Sequence, residues 1–302
     1  MADDRLLVAV LKDHQRWTAQ QPGGVRCDLN GITLNEIQLP DVNLRGAILR
    51  GTTLLDADLT GADLREATLD AADLSRAMLS GADLSRTGIS STQFAFGWLV
   101  EVKLLEARVT AVSFRKANMR DARLQDSYLE GCKFSGAMLG SAAFHQARIK
   151  DCDFSEADLS SAQFRRAQIQ SCRFADVTAA DANFSNTHFQ NCDFSKSDMP
   201  RAKFFQTSFK LSTLDRCQLT ECDFREADLT GVSFCRSVLR EVRFTGAKLF
   251  AADLRQADLT GAWGLSAPQL GQARTDETTI LPNGSHGPYR RYSGAERAKV
   301  LS

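Results

Sequence analysis

CDFSEADLSSAQFRRAQIQSCRF, residues 152–174, sets a large apolar side chain at every fifth position: Phe154, Leu159, Phe164, Ile169 and Phe174. A small residue stands two before each, namely Cys152, Ala157, Ala162, Ala167 and Cys172. Outward from this stretch the large series runs without a gap over positions 29–259, and only Ala179 in it is small. The unit reads small, polar, large, polar, polar. A helix repeats at about 3.6 residues and a plain strand at about 2, so neither holds a five-residue phase over such a length. Each unit is therefore expected to be one short strand and one turn. Its small and large positions, two apart, share the inner face, and the residue between them, often Asp or Asn, points outward.

The number of units per circuit follows from side chains that should stack. Phe94, Phe114, Phe134, Phe154, Phe174 and Phe194 recur twenty residues apart, and so do Phe144, Phe164, Phe184, Phe204, Phe224 and Phe244. Cys132, Cys152, Cys172 and Cys192 keep the same step. Four units make one turn of an all-β solenoid, and at the usual strand spacing the repeat region holds about twelve four-sided coils. A lone coil buries too little to stand. Stacking covers the small residues and pairs backbone groups between coils, so stability accrues cooperatively.

Units such as Ala62-Asp63-Leu64-Arg65-Glu66, Ala82-Asp83-Leu84-Ser85-Arg86, Ala157-Asp158-Leu159-Ser160-Ser161 and Ala257-Asp258-Leu259-Thr260-Gly261 resemble the pentapeptide-repeat family. The resemblance covers residues 27–263. It implies a right-handed quadrilateral β-helix, a fold found mostly in bacterial proteins. Some relatives mimic the charge and shape of duplex DNA and bind a topoisomerase, DNA gyrase. That alternative requires an acidic surface. Residues 27–90 hold ten acidic and five basic side chains, but residues 91–196 hold twelve and thirteen, so the acidic character fades.

Whole-chain charge is balanced, with 37 acidic and 37 basic residues, which leaves no field to recruit nucleic acid or an anionic membrane. No apolar run approaches the roughly 18 residues of a membrane span, and the first residues lack a secretory core. A cytoplasmic location with reduced thiols is expected. Eight cysteines are too few for a disulfide scaffold, and none stands in a CxxC pair.

Outside the repeats, residues 3–20 read as an amphipathic helix with Leu6, Leu7, Val10, Leu11 and Trp17 on one side, stopped by Gly23-Gly24. The expected organisation is an N-terminal capping helix (1–24), the β-helix (25–263), a C-terminal cap (264–281) and a flexible tail (282–302). In the C-terminal cap, Ser266 and Gln269 have capping-box spacing, and Leu265 can meet Leu270 as a staple. The tail carries Arg290, Arg291, Arg297 and Lys299 against Glu296.

Catalytic, cofactor and metal sites are not indicated. His14, His145, His188 and His286 lie too far apart in the pattern to converge, and no HExxH, Walker A, GxGxxG or GxSxG stretch occurs. Side chains in the cysteine series run parallel, which suits a small-residue stack better than a disulfide or a tetrahedral metal. Lys133, Asp153, Arg173 and Asp193 alternate in sign up one face and are expected to offset one another. No cofactor is expected, and the protein is read as non-enzymatic.

One region departs from the polar outward pattern. Phe96, Trp98, Val100 and Leu105 stand where Ser, Asp, Arg or Gly usually sit, with Met78 one coil below Trp98 and Met138 two coils above. Such a patch marks a contact unless the N-terminal helix, the tail or a local bulge at Gly97 covers it. The expected role is a scaffold or adaptor binding a protein partner, with a homodimer through the same surface also open.

Overall fold

The computed structural model describes residues 4–298. The expected helix start at Asp3 and the tail residue Lys299 lie outside the described residues. The chain divides into two compact units, Met1–Ala147 and Arg148–Ser302, with the same five-residue phase in both.

In the first unit, helix α1 (Asp4–Thr18) precedes the repeats. Backbone bridges then join residues twenty apart in parallel: Asp28 to Ile48, Ile48 to Thr68, Thr68 to Gly88. The series continues as three short strands, β1 (Gly88–Ser90), β2 (Arg108–Thr110) and β3 (Tyr128–Glu130), with Ile89 opposite Val109 and Val109 opposite Leu129. The ladder is regular: Leu29 N–H donates to Ile48 C=O at 2.8 Å and Ile48 N–H to Cys27 C=O at 3.0 Å. A step of twenty gives four sides per coil, so the unit is a parallel β-solenoid. Inside it the rings of Phe94, Phe114 and Phe134 stack at centroid separations of 5.3 and 5.0 Å.

The second unit repeats the plan with β4 (Arg148–Lys150), β5 (Gln168–Gln170), β6 (His188–Gln190) and β7 (Ser208–Lys210), all parallel in register. Phe154, Phe174 and Phe194 stack at 4.8 and 4.7 Å, and a second column runs through Phe164, Phe184, Phe204, Phe224 and Phe244. Rings of the two columns meet edge to face, as Phe164 does with Phe174, the arrangement aromatic quadrupoles favour. Where a hydroxyl occupies a small inward position, it donates to a carbonyl: Thr187 to Phe164 and Ser197 to Phe174, each at 2.7 Å. Burial without a partner is thus avoided.

Turns close each side. The second turn residue takes φ near +60° at Asp56, Glu66, Arg76 and most of their equivalents, and the next N–H returns to the large residue, as from Ala62 to Leu59 C=O. Type II turns require that positive φ. The outward aspartate supports the turn that follows it: Asp153 accepts from the N–H and hydroxyl of Ser155, and Asp193 from those of Ser195. This replaces the expected alternating charge ladder. Arg173 stands in register with Asp153 and Asp193, but among the described residues no ion pair joins it to either. Ion pairs form instead at corners twenty residues apart, such as Arg76–Asp56 and Arg201–Asp181, and within one turn, such as Arg65–Asp63.

Each end carries a cap. The buried stripe of α1 is Leu7, His14 and the half-buried Val10, Leu11 and Thr18, whereas Leu6 and Trp17 are exposed, contrary to the expected face. His14 Nδ1 accepts the N–H of Cys27, which has no coil below it, at 3.0 Å. The Trp17 ring lies over Gly46, where a Cβ would come within 3.2 Å of it. At the other end, helix α2 (Ala267–Gln272) has both hydrogen bonds of the Ser266/Gln269 capping box. The Gln269 amide also donates to the open Ala247 carbonyl at 2.8 Å. Beyond α2, Arg274 and Ile280 extend the ladder from Asp253 and Asp258. Residues 282–298, expected as a solvated tail, fold back on this cap: Ile280 bridges His286 in antiparallel fashion, the Tyr289 hydroxyl donates to Glu296, and Ala295 is buried.

Candidate interaction surface

Gly97 occupies a small inward position of the first unit, buried between Phe94 and Leu99. A Cβ there would meet Leu99 at 2.8 Å and the Ala77 carbonyl at 3.3 Å, so a side chain would push the coil apart. The ladder runs straight through it: Trp98 N–H donates to Ala77 C=O and Asn118 N–H to Gly97 C=O, both at 2.9 Å. The chain has no bulge here.

Flat backbone on both sides leaves Trp98 standing on the outer face in register with Met78 below and Asn118 above, and Asn118 in turn with Met138. Trp98 and Phe96 are each 55% exposed and Met78 is 39% exposed, so α1 leaves them open. Asn118, between Trp98 and Met138, is buried on a face that otherwise meets solvent. Val100, Leu105 and Met138 are half-buried. Phe96 takes the positive-φ corner position (φ 60°) just before the strand of Trp98 and projects from the edge of the same face. Val100 borders the opposite edge. Leu105 lies past Lys103, one corner further round, and the register separates it from the others.

Sequence reading missed a second exposed apolar pair. Leu211 and Phe250 are the most exposed large aliphatic and phenyl side chains of the repeats, at 75% and 62%. Their signal was available, because each replaces a polar turn residue, but they are 39 residues apart, one short of two coils, and no shared strand position links them.

Concave features elsewhere are shallow. A cavity of about 240 Å³ is lined by Asp215, Arg216, Cys235, Arg236, Arg255, Gln256 and Asp276. Its groups are committed to structure: Asp215 accepts from the N–H of Cys235, and the Arg255 hydrogen bonds hold the Asp253 carboxyl down at about 2. Burial pushes the Cys235 thiol up, away from a nucleophile's range. Burial likewise raises Cys192 to about 11 and Cys217 to about 12, and the Cys217 sulfur donates to the Phe194 carbonyl. Among the described residues no three His, Cys, Asp or Glu side chains gather as a metal would need, and no helix is long and apolar enough to cross a membrane.

Four-sided coils of five-residue units, with Ala or Cys and Leu or Phe inside, define a parallel β-solenoid. Family models agree: the pentapeptide repeat region matches residues 147–224, and pentapeptide repeats (8 copies) match 27–65, 54–87, 99–136 and 217–256. The chain belongs to the pentapeptide-repeat family. Among solved structures it is similar to HetL, a pentapeptide repeat protein involved in heterocyst differentiation regulation from the cyanobacterium Nostoc sp. strain PCC 7120. The two are 23% identical over 90% of this chain and 97% of HetL, with a TM-score of 0.27. Rfr23 from the cyanobacterium Cyanothece 51142 is 19% identical over 37% of this chain and 89% of its own, with a TM-score of 0.33. QnrB1, a plasmid-mediated fluoroquinolone resistance protein, is 21% identical over 66% of this chain and 89% of its own, with a TM-score of 0.28. No curated protein matches the chain.

Proposed function

We propose that the protein is a non-enzymatic scaffold or adaptor that binds a protein partner through the face carrying Met78, Phe96, Trp98, Val100 and Met138. The observation that supports this is the exposed Trp98 and Phe96 on positions that are polar through most of the repeats. A large aromatic side chain left half in water on a flat backbone contributes only part of its burial to the fold, and its coil is already held by Gly97 and Leu99 on the inside. Buried against a partner it contributes strongly, and aromatic anchors dominate interface energetics. Trp98→Asp tests the reading. The variant should lose partner capture or self-association while its far-ultraviolet circular dichroism and melting temperature stay as in the wild type. Capture and mass profiles identical to the wild type would remove the patch from function.

A further inference from the structure

The surroundings of Phe96 and Trp98 are electrostatically one-sided, which narrows the chemistry of what binds there. One coil above Phe96, Arg115 and Lys116 occupy the same corner, and both are exposed. The Lys116 Nζ lies 5.8 Å from the centre of the Phe96 ring. Arg120 is exposed at the other edge of the face, one coil above Val100. Among the described residues none of these three forms an ion pair. Below, Arg76 is neutralised by Asp56 at 2.6 Å. On the Phe96 side the coil above Arg115 and Lys116 contributes Lys133, Ser135 and Gly136, with no carboxylate. Glu101 and Asp121 belong to the far corner, beyond Val100 and Arg120. An apolar seat therefore has unpaired cations along one edge and mixed charge along the other.

Resting on the reading of this face as a protein-binding surface, we infer that its partner presents an acidic segment with a large apolar anchor. The anchor side chain packs on Trp98 between Phe96 and Met78, and carboxylates of the same segment face Arg115 and Lys116. Complementary charge at the edge of an apolar seat sets orientation and speeds encounter. Nucleic acid is the competing class. Duplex binders commonly neutralise on the order of 6–10 phosphates, whereas this face offers a few cations beside two methionines and a valine, which favour a side-chain anchor over a run of phosphates.

Random peptides displayed on phage and panned against the full chain provide the test, with the best-enriched peptide synthesised and its affinity measured by fluorescence anisotropy. The expected peptides pair Asp or Glu with Leu, Phe, Trp or Met. Trp98→Ala should weaken binding at least tenfold. The double variant Arg115→Glu, Lys116→Glu should do the same and should come to prefer the peptide with its acids changed to lysine. Both variants alter exposed groups, and an unchanged melting curve verifies the fold. Loss on Trp98→Ala without loss on charge reversal would overturn the acidic partner and leave the protein-binding reading standing. Indifference to Trp98→Ala, or the absence of any Trp98-dependent peptide, would overturn both. Binding of a 20-base-pair duplex that charge reversal abolishes, with no peptide selected, would assign the face to nucleic acid instead.

Discussion

At the scale of single residues, phase in the five-residue unit decides the surroundings of an inward side chain but leaves an outward one a choice. An inward Phe or Ala has one environment, set by its phase in the five-residue unit, so its burial followed from counting. An outward Asp has three outlets of similar energy: water, a cation twenty residues away, or the turn two residues on. Sequence cannot rank them. In the structure the turn wins for Asp153 and Asp193, because the amide and hydroxyl of Ser155 and Ser195 are already within reach and no long side chain need be ordered. Asp153→Ala should therefore cost about 0.5–1.5 kcal/mol, the net worth of a turn hydrogen bond. Arg173→Ala, which removes the supposed pairing partner, should fall within about 0.5 kcal/mol of the wild type. Denaturant titration of the two variants decides between turn and ladder, since a ladder predicts comparable losses.

At the scale of elements, the two capping helices were visible in the sequence but their working faces were not. Apolar spacing groups Leu6 and Trp17 with Leu7, whereas the buried stripe centres on His14, a polar residue that apolar spacing does not count. His14 is the group that α1 presents to the open N–H of Cys27, and it can accept that hydrogen bond only while Nδ1 is unprotonated. Burial lowers its pKa, and the nearby Arg26 guanidinium lowers it further, against a smaller opposing effect from the Arg45 backbone. Other charges near it on α1 are Asp13 and Arg16, which pair with each other at 3.2 Å. Because the folded value lies below the ordinary 6.5, the stabilisation from neutral His14 is complete above that pH. It is lost as the pH falls through the depressed folded value. Hydrogen exchange should show protection of α1 amides falling between about pH 6.5 and the lower folded value, while the aromatic columns keep theirs. His14→Gln, which keeps an acceptor without the titration, should flatten that profile. An α1 protection that follows pH equally in both proteins would assign the loss to another group.

At the scale of the whole molecule, a repeated coil creates the same hazard at its ends that it resolves inside, because each terminal coil presents unpaired backbone groups. The repeats alone told us that caps must exist, and local capping signals located them. Nothing in the pattern foretold how completely each would cover its coil. The C-terminal cap combines α2, the ladder residues Arg274 and Ile280, and the fold-back through His286. The N-terminal cap is thinner: α1 meets the first coil at Cys27, Asn43 and Gly46, while Ile37, Leu39 and Val42 of the same coil stay half-buried. Removing residues 1–20 would add the N–H of Cys27 and the face beneath Trp17 to an edge already partly open. The truncated chain should associate through that edge, so its sedimentation-velocity mass should rise with concentration over a range in which the full chain shows no such rise. Trp98→Asp in the truncated background should leave this association intact, because the two surfaces lie on different coils. A truncated chain whose mass does not change, with its circular dichroism preserved, would show that the first coil protects its own edge and that α1 serves some other purpose.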